Sequence, residues 1–285
     1  NYDYFGSSVA ISGNYAIVGA VAENIYTGSA YIFERDANGN WTETQKLIAS
    51  DPAQGDRFGF SVAINGNYAI VGAHENNDDA SKAGSAYIFE RDTDGNWGTA
   101  VSGQSYRTET KKLLASDRAT GDYFGYSVAI SGDYTIVGAW GDDSQKGAAY
   151  IFERDTNGNW GTAVSGQTYR TQKQKLTASD GVASDRFGYS VAISGNYAIV
   201  GAEANDDNNL TNSGSAYIFE RDANGNWGTA VSGQTYRTET KKLLASDADT
   251  NDKFGFSVAI SGNYAIVGTL IDHSNKYTGS AYIFE

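Results

Sequence analysis

Short runs rich in Val, Ile, Tyr and Phe alternate along the whole chain with clusters of Gly, Asn, Asp and Ser, the punctuation of β-strands and tight turns. Runs such as Ser-Val-Ala-Ile at 61–64 and Tyr-Ala-Ile-Val-Gly-Ala at 68–73 carry no clean polar alternation. Strands of that kind are covered on both faces. The two runs of each such pair meet at a turn of the Ser-Gly-Asn-Tyr type, where Gly and Asn tolerate positive φ. A later pair is joined through Asn38-Gly39, Asp94-Gly95, Asn157-Gly158 or Asn224-Gly225, all strong hairpin signals. Helix signals are almost absent, and the one proline, Pro52, falls in a loop.

The runs recur in register. Phe-Gly stands at Phe5, Phe58, Phe124, Phe187 and Phe254, followed each time by Ser-Val-Ala-Ile, by Tyr-Ala-Ile-Val-Gly or Tyr-Thr-Ile-Val-Gly, by an acidic loop and by Ala-Tyr-Ile-Phe-Glu. In the first four copies Arg-Asp, Gly-Asn-Trp and Lys-Leu-x-Ala-Ser-Asp follow. Nothing between copies reads as a linker. Residues 1–285 are therefore expected to form a single domain of five repeats, at about 1–51, 52–117, 118–180, 181–247 and 248–285. Four antiparallel strands per unit, stacked face to face around an axis, predict an all-β protein, a β-propeller of five four-stranded blades, over a linear solenoid. The Trp and Lys-Leu strand occurs in four copies only, so the fifth blade is expected to lack its outer strand and to show an open edge. Residue 1 begins no targeting segment, and both ends read as cut from a longer repeat array.

Phe-Gly opening the first strand, Val18-Gly19-Ala20 and its counterparts closing the second, and Ala-Tyr-Ile-Phe in the third resemble the FG-GAP repeat. That repeat builds the propeller of integrin α subunits and of many bacterial surface proteins. The resemblance covers essentially the whole chain. It implies a propeller, an extracellular or cell-surface location, in a bacterium, and a role in adhesion or recognition. The chain departs from the integrin pattern at one place. There a calcium loop of the form D-x-D-x-D-G-x-x-D joins the first two strands; here that loop is only Ser-Gly-Asn-Tyr or a close variant, so those calcium sites do not carry over.

Charge changes the picture more than composition does. With no Cys, the chain has no disulfides or thiolate metal sites, and His74 and His273 alone supply zinc ligation poorly. A formal net charge of −13 argues against nucleic-acid binding, and no apolar run is long enough to span a membrane. The crossovers between repeats and the loops between second and third strands fall at one end of a blade. Together they hold twenty acidic and seven basic residues, which is the whole net charge. Asp56, Asp122, Asp185 and Asp252 precede each later Phe-Gly and are read as turn caps, one structural job repeated. The pairs Asp78-Asp79, Asp142-Asp143 and Asp206-Asp207 are absent from the first and last copies, so the fold does not require them. They are candidate ligand-binding residues, and Asp142, Asp143, Asp206 and Asp207 are candidate Ca²⁺ ligands; plain solvation is the alternative. The position after Val-Gly-Ala varies, and His74 and Trp140 join the ligand-binding candidates on a rigid frame with variable loops. Trp140 is equally suited to stacking on a sugar and to filling a gap between loops.

The Asp-x-x-Gly-Asn-Trp segments from Asp36, Asp92, Asp155 and Asp222 lack one residue of a calcium loop and are read as hairpin turns. Trp41, Trp97, Trp160 and Trp227 hold one frame position and are read as packing. Copies two to four insert Gly-Thr-Ala-Val-Ser-Gly-Gln-x-Tyr-Arg-Thr, an extended hairpin suited to lateral contacts. No thiol nucleophile, Ser-His-Asp set, phosphate loop or two-His motif is present, so no enzyme is expected. The expected function is recognition of a protein or glycan ligand, with or without Ca²⁺, on the acidic loop face. The alternatives are a structural module that self-associates through the open edge of the fifth blade, and a carbohydrate-binding or carbohydrate-active protein.

Overall fold

The computed structural model describes residues 3–78, 80–207, 209–271 and 278–285. Each repeat contributes the core of one antiparallel sheet. The first is built from Phe5–Ser12, Tyr15–Ala20, Ser29–Arg35 and Trp41–Leu47. The second holds Ser61–Asn65, Tyr68–Ala73, Ser85–Glu90 and Lys111–Leu114, and the third Ser127–Ser131, Tyr134–Ala139, Ala148–Glu153 and Gln174–Leu176. The fourth holds Phe187–Ser194, Tyr197–Ala202, Ser215–Glu220 and Lys241–Leu243. The fifth has three strands, Ser257–Ser261, Tyr264–Gly268 and Ala281–Phe284.

The expected four strands per sheet become six in the first three sheets. The inserted hairpins cause the difference. The arm of the second repeat, Thr99–Ala100 and Tyr106–Thr108, leaves its own sheet and adds two strands to the first. The arms Thr162–Ala163 with Arg170–Thr171, and Thr229–Ala230 with Tyr236–Thr238, do the same for the second and third sheets. An outer strand otherwise shows a row of unpaired N–H and C=O groups, and the arm supplies their partners.

Consecutive sheets stack face to face. Each of the first three buried clusters joins the Ile-Leu face of one sheet to the Phe-Val-Ile-Tyr-Trp face of the next, as Ile17, Ile32 and Leu47 meet Phe58, Val62, Ile64, Tyr87 and Trp97, and the fourth repeats the pattern without a Trp. The inner ends of the sheets approach so closely that a Cβ on Gly19 would stand 2.0 Å from the carbonyl oxygen of Gly59. That approach accounts for the glycines of Phe-Gly and Val-Gly-Ala. It leaves room for short parallel bridges from Gly28 to Phe58, Gly84 to Phe124, Gly147 to Phe187 and Gly214 to Phe254.

Coverage on both faces, expected of every sheet, holds only for the inner ones. Val62 and Ile64 are 7% and 6% exposed, whereas their counterparts Val9 and Ile11 in the first sheet are 66% and 68% exposed. On the opposite face of the fifth sheet Ile266 and Ile283 are 43% and 74% exposed, whereas Ile70 and Ile88 are fully buried. With those two terminal faces uncovered, the described residues form an open series of five sheets, and among them no strand of the fifth sheet pairs with one of the first. No described helix is long and apolar enough to cross a membrane.

Candidate functional site

The two loop classes that carry the charge do meet at one end of the sheets, and lysines join them. Lys112 Nζ lies 2.5 Å from Asp51 of the preceding crossover and also binds Asp78. Lys175 Nζ stands 2.7 Å from Asp117 and 2.5 Å from Asp142, and Lys242 Nζ 2.5 Å from Asp180 and 3.0 Å from Asp207. In the first repeat Lys46 binds Glu23. Each lysine also lies over the ring of its strand partner, as Lys112 does over Tyr87 at 5.3 Å. The hydroxyls of Tyr87, Tyr150 and Tyr217 donate to Asp51, Asp117 and Asp180. Burial alone would lower the Lys242 ammonium, but Asp180 and Asp207 outweigh it and hold it above its ordinary value. Burial alone would raise Asp180; the Lys242 bond holds it below the usual carboxylate range.

Sequence reasoning assigned these lysines to the strands and not to the charged face. They belong to Lys-Leu of the fourth strand, and their long stems carry the ammonium to the loops. The signal was the recurrence of Lys46, Lys112, Lys175 and Lys242 before Leu in every complete copy.

The remaining candidates fall in two groups. Asp143 sits in a left-handed turn with Ser144 and Gln145, at φ 47, 61 and 65°. Asp206 accepts the Asn212 amide at 2.7 Å. Asp79 lies outside the described residues, as do Asp272, His273 and Lys276 of the last loop. Among the described residues no group of three or more His, Cys, Asp and Glu is gathered as a metal site.

His74 and Trp140 are brought together, through aromatic residues that the sequence reading passed over. The residue after each later Phe-Gly is aromatic, and Phe60, Tyr126, Tyr189 and Phe256 form a continuous row with centroids 4.9–5.4 Å apart. His74 packs on Phe60 at 4.1 Å and on Tyr126 at 5.3 Å. Burial first, then Arg57 and Lys82, pushes its imidazole down to about 3, so it is neutral at physiological pH. Tyr123 stacks on Trp140 at 4.7 Å with the rings 6° apart, and the Arg186 guanidinium lies 5.1 Å from the same ring. The Trp140 ring thus sits between the loops that carry Tyr123 and Arg186 and is only half-buried. Beside it Glu203, 1% exposed, is held by Arg186 at 2.9 Å and Lys253 at 3.0 Å.

The repeated turn acids sit as turn caps. Asp56, Asp122, Asp185 and Asp252 are buried and accept the backbone N–H three residues upstream, at 2.8, 2.6, 2.8 and 2.7 Å. Asp36 accepts the amides of Asn38 and Asn40, both at 2.8 Å, and Asp92, Asp155 and Asp222 repeat the pattern. These are hairpin turns closed by their own carboxylates.

The repeat register is matched by a known family profile. The profile of the FG-GAP repeat matches residues 1–33, 41–89, 108–152, 170–219 and 238–284. No curated protein matches the chain. Among solved structures, the periplasmic gluconolactonase PpgL of Pseudomonas aeruginosa is similar at 13% identity and a TM-score of 0.49, over 92% of this chain and 64% of that one.

Proposed function

The chain belongs to the FG-GAP repeat family, and from that premise we propose that it is a non-enzymatic structural module of the cell exterior that joins like modules face to face, its sheets set radially as propeller blades. One observation carries the reading. The exposed set on the first sheet, Phe5, Val9 and Ile11, occupies the positions that Phe58, Val62 and Ile64 bury at the next junction. The exposed Tyr264, Ile266 and Ile283 of the fifth sheet occupy positions covered at the inner junctions. The two open faces are therefore complementary by the chain's own packing rule, and a head-to-tail contact between copies would bury both. In this reading the loop acids serve the fold. Recognition of a protein or glycan with Ca²⁺ at that face would draw on carboxylates that Lys112, Lys175 and Lys242 already hold.

Sedimentation equilibrium tests the proposal. The chain should associate reversibly with rising concentration, and either Val9→Lys or Ile283→Lys alone should leave it monomeric. A strictly monomeric chain at high concentration, or association untouched by both changes, would sink it.

A further inference from the structure

Three of the four junctions are closed at their outer end by a tryptophan of the following repeat. Trp97, Trp160 and Trp227 are buried and meet Tyr15, Tyr68 and Tyr134 edge-on at 5.5, 5.5 and 5.6 Å. Each lies over an Ile and a Leu of the preceding sheet, Ile88 and Leu113 in the case of Trp160. The arginine that opens the same arm covers the same tyrosine: Arg91, Arg154 and Arg221 lie 4.9, 5.0 and 4.6 Å from the rings. A glutamate of the preceding strand answers that charge, with Arg154 3.8 Å from Glu90 and Trp160 Nε1 donating to Glu90 at 3.0 Å. Past the tryptophan the arm pairs in parallel with the preceding outer strand, Lys46 opposite Tyr106 and Leu47 opposite Arg107. The third arm repeats this register with Lys175 opposite Tyr236 and Leu176 opposite Arg237. A last clasp follows, Glu109 on Ser50 and Glu239 on Ser179.

At the fourth junction every receiving part is present and, among the described residues, no arm lies in it. A groove of about 380 Å³ is lined there by Tyr197, Ile218, Glu220 and Leu243 of the fourth sheet and by Ala265 and Phe284 of the fifth. Tyr197, Ile218, Leu243 and Glu220 stand where Tyr68, Ile88, Leu113 and Glu90 stand around Trp160. Ile218 is only half-buried there, unlike Ile88 and Ile151. The outer edge of Lys241–Leu243 pairs with no described strand. The sheets have not moved apart, because the inner seam is shut as elsewhere: Gly214 bridges Phe254, and a Cβ on Gly201 would stand 2.0 Å from the Gly255 oxygen.

We propose that this groove is a docking site for an arm of the chain's own repeat type, an Arg-Asp-x-x-Gly-Asn-Trp turn followed by a hairpin ending in Tyr-Arg-Thr-Glu. The tryptophan enters beside Tyr197, the arginine covers that ring against Glu220, and Tyr-Arg-Thr extends the fourth sheet in parallel by β-augmentation. The next glutamate reaches Ser246, the counterpart of Ser50 and Ser179. The site does not depend on whether the terminal faces associate, since it lies between two sheets already packed together.

The probe is a labelled synthetic peptide with the sequence of residues 221–246, titrated into the intact chain and followed by fluorescence anisotropy. Saturable binding of one peptide per chain is expected. Trp227→Ala in the peptide should weaken it by at least about tenfold, as for a buried tryptophan anchor. Tyr197→Ala in the protein should weaken it too, with circular dichroism checking that the variant is folded. The peptide variant needs no change in the protein, so the test stands even where Tyr197→Ala misfolds. Absence of saturable binding, or binding indifferent to the peptide's tryptophan, would overturn the proposal. So would binding indifferent to Tyr197→Ala in a folded variant, which would put the peptide on another edge.

Discussion

The junction between the third and fourth sheets and that between the fourth and fifth share an inner half and differ in the outer. Both have the glycine seam, the Phe bridge and a serine hydroxyl on the neighbouring carbonyl, Ser127 to Gly188 and Ser190 to Gly255. Only the first has a tryptophan wedge, Trp227 on Tyr134, and an arm across its rim. The inner seam therefore forms without the wedge. The close backbone approach sets how neighbouring sheets sit. The tryptophan then fills the space left where the sheets diverge and removes the outer apolar surface from water.

The comparison can be broken most forcefully at the wedge. Trp227→Ala should cost about 3–5 kcal/mol, because it empties a fully buried site whose backbone is held on both sides. Trp41→Ala changes the same frame position where no preceding sheet receives the ring, which is 39% exposed. There the loss should be roughly 1 kcal/mol or less. Urea denaturation of the two variants checks the contrast, and equal losses would mean that the wedge does not stabilise the junction.

A smaller effect sharpens the account of the turn caps. Burial pushes the Asp122 carboxyl up to about 6, with Asp142 and Asp117 adding to the shift. A folded-state value above the ordinary one means that the folded protein binds this proton more tightly. The resulting stability is fully present below the ordinary carboxylate value of 3.8 and is lost as pH rises through about 6. Asp122→Asn keeps an acceptor for the Ala119 amide and removes the titration. The melting temperature of the wild type should therefore fall relative to that of the variant between those two values and run parallel to it above. Parallel curves throughout would refute the buried-acid assignment.

Much of this was legible in the sequence, and particular residues show why the rest was not. Strand runs, turns and five repeats followed from apolar runs and Asn-Gly pairs, which are local signals. Trp97, Trp160 and Trp227 were readable as packing because one frame position recurred; Trp41, read the same way, is exposed, because among the described residues no preceding sheet receives its ring. The sheet that each arm joins was not readable: a parallel pairing such as Leu176 with Arg237 links residues of different repeats, and no local pattern encodes it. The charged face was half readable. Counting by loop located the acids, but Lys112, Lys175 and Lys242 reach them from strands, through the lateral adjacency of sheets. His74 and Trp140 varied between copies and so looked like a binding surface. The structure adds that their rings join the row formed by the aromatic residue after each Phe-Gly, a repetition that only the packing gives meaning.

The half-open fourth junction is tested most directly by hydrogen exchange on the free monomer. The amides of Ile48 and Thr177 donate to the carbonyls of Arg107 and Arg237 in the arms, each at 3.0 Å. Leu244 holds the same frame position beside the open groove. Native-state exchange should find Ile48 and Thr177 slow, opening only with the loss of their junctions, and Leu244 faster by orders of magnitude. Adding the peptide of residues 221–246 should slow Leu244 alone among the three. A Leu244 amide as protected as Thr177 in the peptide-free monomer would contradict the account, because the outer half of that junction would then already be closed.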